Sequence, residues 1–124
     1  MSQAITVLFQ VIVGLGLLNV WLVRANLSTA YRGGDAKTIR EEFAVYGLPG
    51  WFCTLIGFLK ITSALLLLAA LWMPELGLPA SLTIVALMLG AVSMHAKVKD
   101  PIKKSLPAAA MLLMSAVLTM HFLP

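Results

Sequence analysis

The sequence predicts an all-α fold: a four-transmembrane-helix bundle with a short interfacial helix between the first and second spans, and both termini outside. Three observations carry this expectation. Of the 124 residues, 60% are apolar and only 11% are charged, whereas a soluble domain carries about 45–50% and about 25% respectively. So few charges cannot clothe a water-exposed surface, and the mean hydropathy is +0.96. The apolar residues also fall into four long runs, with all but one of the basic residues in the gaps between them. In hydrocarbon every backbone N–H and C=O must bond internally, which leaves helices or closed barrels. The runs lack the period-2 polar alternation that a barrel needs.

The elements follow from where the runs stop. The first run, about 4–23, ends at Arg24 and has no formal charge; at 1.5 Å per residue it covers roughly 30 Å, one hydrocarbon core. It has no basic segment in front of it and no small-residue cleavage site behind it, so it reads as a retained span rather than a signal peptide. The second run, about 51–73, is interrupted only by Lys60, and Pro74, Glu75 and Gly77 then make a tight connection. The third, about 79–96, ends at Lys97, and the fourth, about 105–122, carries Pro107 in its first turn. Spans three and four read as short, near the lower limit of about 17 residues. The length sets a single membrane domain, 1–124.

Between spans one and two, the stretch around Arg32-Gly33-Gly34-Asp35 reads as a flexible turn. A short helix over about 39–46 follows. Thr38 is its N-cap and Glu41 completes a capping box, which puts Ile39, Phe43 and Tyr46 on one side and Arg40, Glu41 and Glu42 elsewhere. Such a helix is interfacial. It either packs over the bundle mouth or acts as a gate or a partner-binding lid.

Charge sets orientation and excludes function classes. Arg24, Arg32, Lys37 and Arg40 lie between spans one and two, and Lys97, Lys99, Lys103 and Lys104 between spans three and four. The other connection and both tails carry no basic side chain, so both basic segments are expected in the cytosol. A net charge of +4 in two clusters against apolar runs suits lipid headgroups rather than nucleic acid. The single cysteine, Cys53, excludes an internal disulfide framework. His95 and His121 fall at opposite ends of the bundle without a carboxylate cluster beside either, so no metal site is expected.

Lys60 is the most informative residue. It stands two residues from the midpoint of its run, about 3 Å along the axis, and a lysine at that depth costs about 2.5–3.5 kcal/mol on insertion scales. It should therefore face the bundle interior or a wet cavity, either as a packing lysine or as a handle for a ligand. No acidic residue shares its run, which leaves Asn19, Thr62, Ser63 and backbone carbonyls as acceptors, with Glu41 or Glu42 joining them only if their segment dips inward. Lys60, His95, Asn19 and Arg24 are the candidate polar pocket. Trp51, Phe52 and Phe58, with Glu41, Glu42 and Tyr46, are the candidate walls or gate. Gln10 is expected to hydrogen-bond between helices, and Gly14, Gly16, Gly90 and Ala91 offer surfaces for close helix approach.

The chain resembles the DoxX-like family of small four-helix membrane proteins. The resemblance runs from about Phe43 to Pro107: Leu48-Pro49-Gly50-Trp51, Gly57 followed by Lys60, Pro74, Gly90-Ala91 before Ser93-Met94-His95, then Asp100 and Pro107. It implies the four-helix fold and an inner-membrane, multi-pass location. It also implies that the position of Lys60 is often acidic in the wider family, so an acid-dependent mechanism does not transfer unchanged. Some relatives pass electrons to quinone within membrane complexes, and others assist assembly of redox enzymes or membrane proteins.

Three functions remain open on the sequence. The first is an accessory or assembly protein that engages a membrane partner, alone or as a homo-oligomer. The second is a binder of an amphipathic molecule, quinone or lipid, in a pocket inside the bundle. The third is a small oligomeric transporter. An apolar cavity reaching Lys60 would favour the second, and a packed interior with an exposed stripe of small residues the first.

Overall fold

A computed structural model describes residues 2–124. Among these the chain is all-helical: α1 (Gln3–Leu18) runs on through a π-helical segment (Asn19–Val23), α2 is Ile39–Val45, α3 Gly50–Ala69, α4 Gly77–Lys97 and α5 Ile102–Phe122. A single 3₁₀ turn, Pro74–Leu76, leads into α4. Four segments are long and apolar enough to cross a membrane: Gln3–Val23, Gly50–Ala69, Pro74–Lys97 and Ile102–Phe122.

The four long helices form a ring in which α1 touches α3 and α5, and α4 touches α3 and α5. Their shared core is Val13, Leu17, Ala64, Leu67, Ile84, Met88 and Leu118. In lipid such packing is driven by close contact and interhelical hydrogen bonds rather than by water exclusion. Both are present. Gln10 Nε2 donates to the Leu67 carbonyl of α3 at 3.2 Å in a buried contact. Gly14 lies so close to Leu68, and Gly16 to Met111, that an added Cβ would fall 2.6 and 2.5 Å from those side chains. Trp72, Leu113 and Met120 point outward, as a hydrocarbon environment allows.

Spans three and four are longer than their apolar runs. The third segment has 24 residues and the fourth 21, so neither is short for a bilayer. At α4 the helix begins two residues before Pro79, whose missing N–H is one of the donors that a first turn leaves free. At α5 the helix starts after Pro101 and takes Lys103 and Lys104 into its opening turn. Pro107 is therefore inside α5 rather than in its first turn, and it removes one backbone donor there. A hydropathy run stops at the first charge, whereas a helix does not have to.

The stretch between α1 and α2 consists of turns and bends, as expected, and specific contacts tie it to its surroundings. Arg32 is buried, and one of its terminal nitrogens donates to the carbonyls of Arg24, Ala25 and Leu27, at 2.5, 3.4 and 3.2 Å. It thereby satisfies the open end of the first span. The Gly33–Gly34 pair lets the chain pass against α2: a Cβ on Gly33 would fall 2.6 Å from the Tyr46 ring, and Gly34 takes φ +55°. Asp100, from the α4–α5 connection, accepts from the Gly34 N–H at 3.0 Å, while Lys104 Nζ donates to the Gly34 carbonyl at 2.6 Å.

The capping box forms as expected. Glu41 N–H donates to Thr38 Oγ1 at 3.1 Å, and Thr38 N–H donates to Glu41 Oε2 at 3.1 Å. Ile39, Phe43 and Tyr46 are buried. Phe43 stands edge-on to Trp21 and tilted against Phe52, with centroids at 6.1 and 6.3 Å, and Arg40 anchors α2 to α3 through Thr54 Oγ1 at 3.1 Å. The short helix thus sits across the basic end of the bundle.

Candidate functional site

Beneath α2 is a cavity of about 120 Å³, walled by the π-helical end of the first span, α3 and α4. Its apolar lining comes from Trp21, Phe43, Phe52, Ile56, Leu87 and Met94, and its polar lining from Arg32, Glu42, Tyr46 and Lys60. Trp21 reaches it because of two local features. The π-helical segment widens the end of the first span by one residue, with the Arg24 N–H bonding the Asn19 carbonyl at 2.9 Å. Gly57 then leaves room for the indole, since a Cβ there would fall 2.7 Å from the ring.

Lys60 projects into this cavity from the middle of α3. It makes no ion pair and no hydrogen bond among the described residues, and its ammonium lies 5.2 Å from the centre of the Trp21 ring. An aromatic face stabilises a cation by about 0.5–2 kcal/mol, which offsets only part of the cost of a lysine at this depth.

Across the cavity, Arg32, Glu42 and Tyr46 form a chain. Arg32 Nη1 lies 3.5 Å from Glu42 Oε2, and the Tyr46 hydroxyl donates to Glu42 Oε1 at 2.7 Å. Burial raises the Tyr46 phenol well above its ordinary value, and the neighbouring Glu42 carboxylate adds to the shift. Arg32 Nε is buried without a hydrogen-bond partner.

The four residues expected to share one polar pocket are not brought together. Asn19 and Arg24 are exposed on the outside of the first span. They reach the site only through their backbone carbonyls, as acceptors within the helix end. His95 is buried but lies behind the cavity wall. Its Nδ1 is 2.8 Å from Asp100 Oδ2, and its ring stands edge-on to Tyr46 at 5.9 Å. Of the expected walls, Phe52, Glu42 and Tyr46 line the cavity. Trp51 and Phe58 do not, being 68% and 66% exposed on the outer face of α3. Glu41 is spent on the cap of α2. Gly90 is not a helix contact: it lines the cavity, and a Cβ built there meets no atom within 4 Å. The wall is open at that point.

Asp100 organises the back of the site. Its burial opposes the charge, but the contact with His95, the Gly34 N–H and nearby Lys104 outweigh that and hold its carboxyl below the usual value. Lys97 Nζ adds a bond to the Tyr46 carbonyl at 2.9 Å. Arg32, Trp21 and Asp100 were not legible as site residues, although an arginine beside two glycines hints at a side chain turned inward by an unusual backbone.

A second cavity, about 330 Å³, opens at the other end, among Gln3, Thr6, Gln10 and His121. It is larger but holds no formal charge, and the buried amide of Gln10 and hydroxyl of Thr6 already donate to backbone carbonyls. The cavity beneath α2 holds Lys60, a cation without a hydrogen-bond partner, and it is the candidate site.

Comparison with known proteins agrees with this architecture. The model of the DoxX-like family matches residues 16–118, and the chain belongs to that family. It is also similar to the uncharacterized protein YdgD of Bacillus subtilis (strain 168), with 37% identity over 68 residues, covering 51% of this chain and 60% of the relative. The chain thus spans less than two thirds of that relative's length. No solved structure matches.

Proposed function

We propose that this protein binds the polar head of an amphipathic molecule, a quinone or another lipid, in the cavity beneath α2. The observation that carries the reading is an apolar cavity that reaches Lys60 and is open at Gly90 within a membrane-spanning helix. At about 120 Å³ it is in the range of cavities that hold a single small ring, about 150 Å³ for benzene. The head of an amphipath fits, and its tail must leave through the open wall. In this reading both basic connections face the cytosol, the termini lie outside, and the membrane is the inner membrane.

The test is native mass spectrometry of gently solubilised protein, followed by solvent extraction of whatever stays bound. A single quinone or lipid species retained at one per chain, and lost from Lys60→Met, is the expected result. Retention of bulk lipid alone, the same in parent and variant, counts against the reading. A second reading, an accessory protein docked to a membrane partner, draws on α5. Only Ser115 and Leu118 of that helix are buried, so its outer face is available to another chain. The same spectra report a dimer or a co-purifying subunit.

A further inference from the structure

We infer that the head group held beneath α2 is anionic, a carboxylate or phosphate, with its negative charge on Lys60 and beside the Arg32 guanidinium. This rests on the amphipath-binding reading above and specifies the class of its ligand.

The inference comes from counting charges and donors around one cavity. Its lining holds two cations, Arg32 and Lys60, against one carboxylate, Glu42. That carboxylate is already engaged: Arg32 Nη1 lies at 3.5 Å, and the Tyr46 hydroxyl donates to it at 2.7 Å. Arg32 Nη2 serves three backbone carbonyls and its Nε is closed off by the protein, so Arg32 brings charge to the cavity rather than a free donor. Lys60 has only the Trp21 ring. The site therefore has one uncompensated positive charge, and Lys60 of α3 is the cation with donors to spare.

Each class of head group meets this differently. A cationic head is repelled. A neutral carbonyl accepts a hydrogen bond but leaves the excess charge in a low-dielectric setting. An anion supplies acceptors and charge together, and charge-assisted bonds are about twice as strong as neutral ones. Carboxylate and phosphate share this chemistry, and the cavity volume admits only the head of either. The open wall at Gly90 gives the alkyl chain its way out to lipid.

The test uses the full chain in phosphatidylcholine nanodiscs with Trp51→Phe and Trp72→Phe, so that Trp21 is the sole indole and the fluorophore beside Lys60. The probes are 6,7-dibromostearate, whose bromines lie close enough to the carboxyl to quench the indole beside Lys60, its methyl ester, and decylubiquinone. The expected result is saturable quenching by the acid at about tenfold lower concentration than by the ester, a step of the size that a buried charge pair supports. Lys60→Met abolishes the difference and Lys60→Arg keeps it. Displacement of the bromo acid by lysophosphatidate extends the site to phosphate heads, and failure to displace confines it to carboxylates; both support an anion site. Equal saturable quenching by acid and ester, or by decylubiquinone alone, overturns the anionic head group while leaving the amphipath-binding reading intact. Absence of saturable quenching by any probe overturns both.

Discussion

The ammonium of Lys60 lies 5.2 Å from the centre of the Trp21 ring and makes no ion pair among the described residues. This arrangement separates two uses of an intramembrane lysine. A lysine retained for packing contributes to stability, and its removal weakens the bundle. A lysine retained for a ligand is a standing cost to the empty protein. Replacing buried charge by an apolar side chain of similar volume is often stabilising, by about 1–4 kcal/mol for ion pairs and triads. Lys60→Met is therefore expected to raise the thermal unfolding midpoint of ligand-free protein while abolishing ligand retention. A lower midpoint would return Lys60 to a packing role.

Asp100 ties three parts of the basic end together, through His95 at 2.8 Å, the Gly34 N–H at 3.0 Å and Lys104 at 3.9 Å. Its carboxyl is held below the usual value, so the charged form is the one the folded state favours. The stability it supplies is complete above the unfolded value of about 3.9 and is lost as pH falls through the lower folded value. Unfolding midpoints measured from pH 7 down to pH 2 should fall on the acid side in the parent. Asp100→Asn removes this part of the pH dependence and costs about 1–3 kcal/mol at neutral pH, because one carboxylate oxygen and the negative charge are lost to buried partners. An unchanged acid limb in the variant would place the titrating group elsewhere.

The Tyr46 hydroxyl donates to Glu42, and its phenol is raised by burial and by that carboxylate. A folded value above the unfolded value of about 10 means that stability is present below about pH 10 and declines as pH rises further, once the unfolded chain ionises and the folded one does not. Tyr46→Phe should flatten this alkaline limb and cost about 1 kcal/mol at neutral pH through the unmet Glu42 oxygen. Difference absorbance near the tyrosinate band, parent minus variant, reports the delayed ionisation directly.

Much of the fold is legible because membranes impose simple rules. Four apolar runs, the Thr38–Glu41 capping box and the depth of Lys60 all follow from length, charge and local chemistry. The inward faces do not. The runs are apolar all round, so nothing distinguishes Trp51 and Phe58, which face outward, from Trp21 and Phe52, which face the cavity. The π-helical turn at Asn19–Val23 shifts the register by a residue without any periodic signal. Arg32 escaped notice because Gly33 and Gly34 read as a loose turn. What orders that turn is Asp100, 66 residues away, a pairing that local sequence does not encode.

Gly90 offers a way to close the cavity without disturbing the packing. It sits seven residues before the end of α4, lines the cavity, and has no atom within 4 Å of an added Cβ. Glycine inside a helix costs roughly 0.5–1 kcal/mol relative to alanine through backbone entropy. Gly90→Ala is therefore expected to leave the fold intact and raise its stability by about that amount, with binding little changed. Gly90→Phe keeps part of that backbone benefit but fills the opening, and it should cut retention of an amphipath about tenfold or more while the unfolding midpoint stays at or above that of the parent. Contrast with Gly57→Ala sharpens the result. There the new methyl carbon lies 2.7 Å from Trp21, so stability and binding should fall together. If Gly90→Phe binds like the parent, the ligand does not pass this wall, and the opening at Gly90 plays no part in its entry.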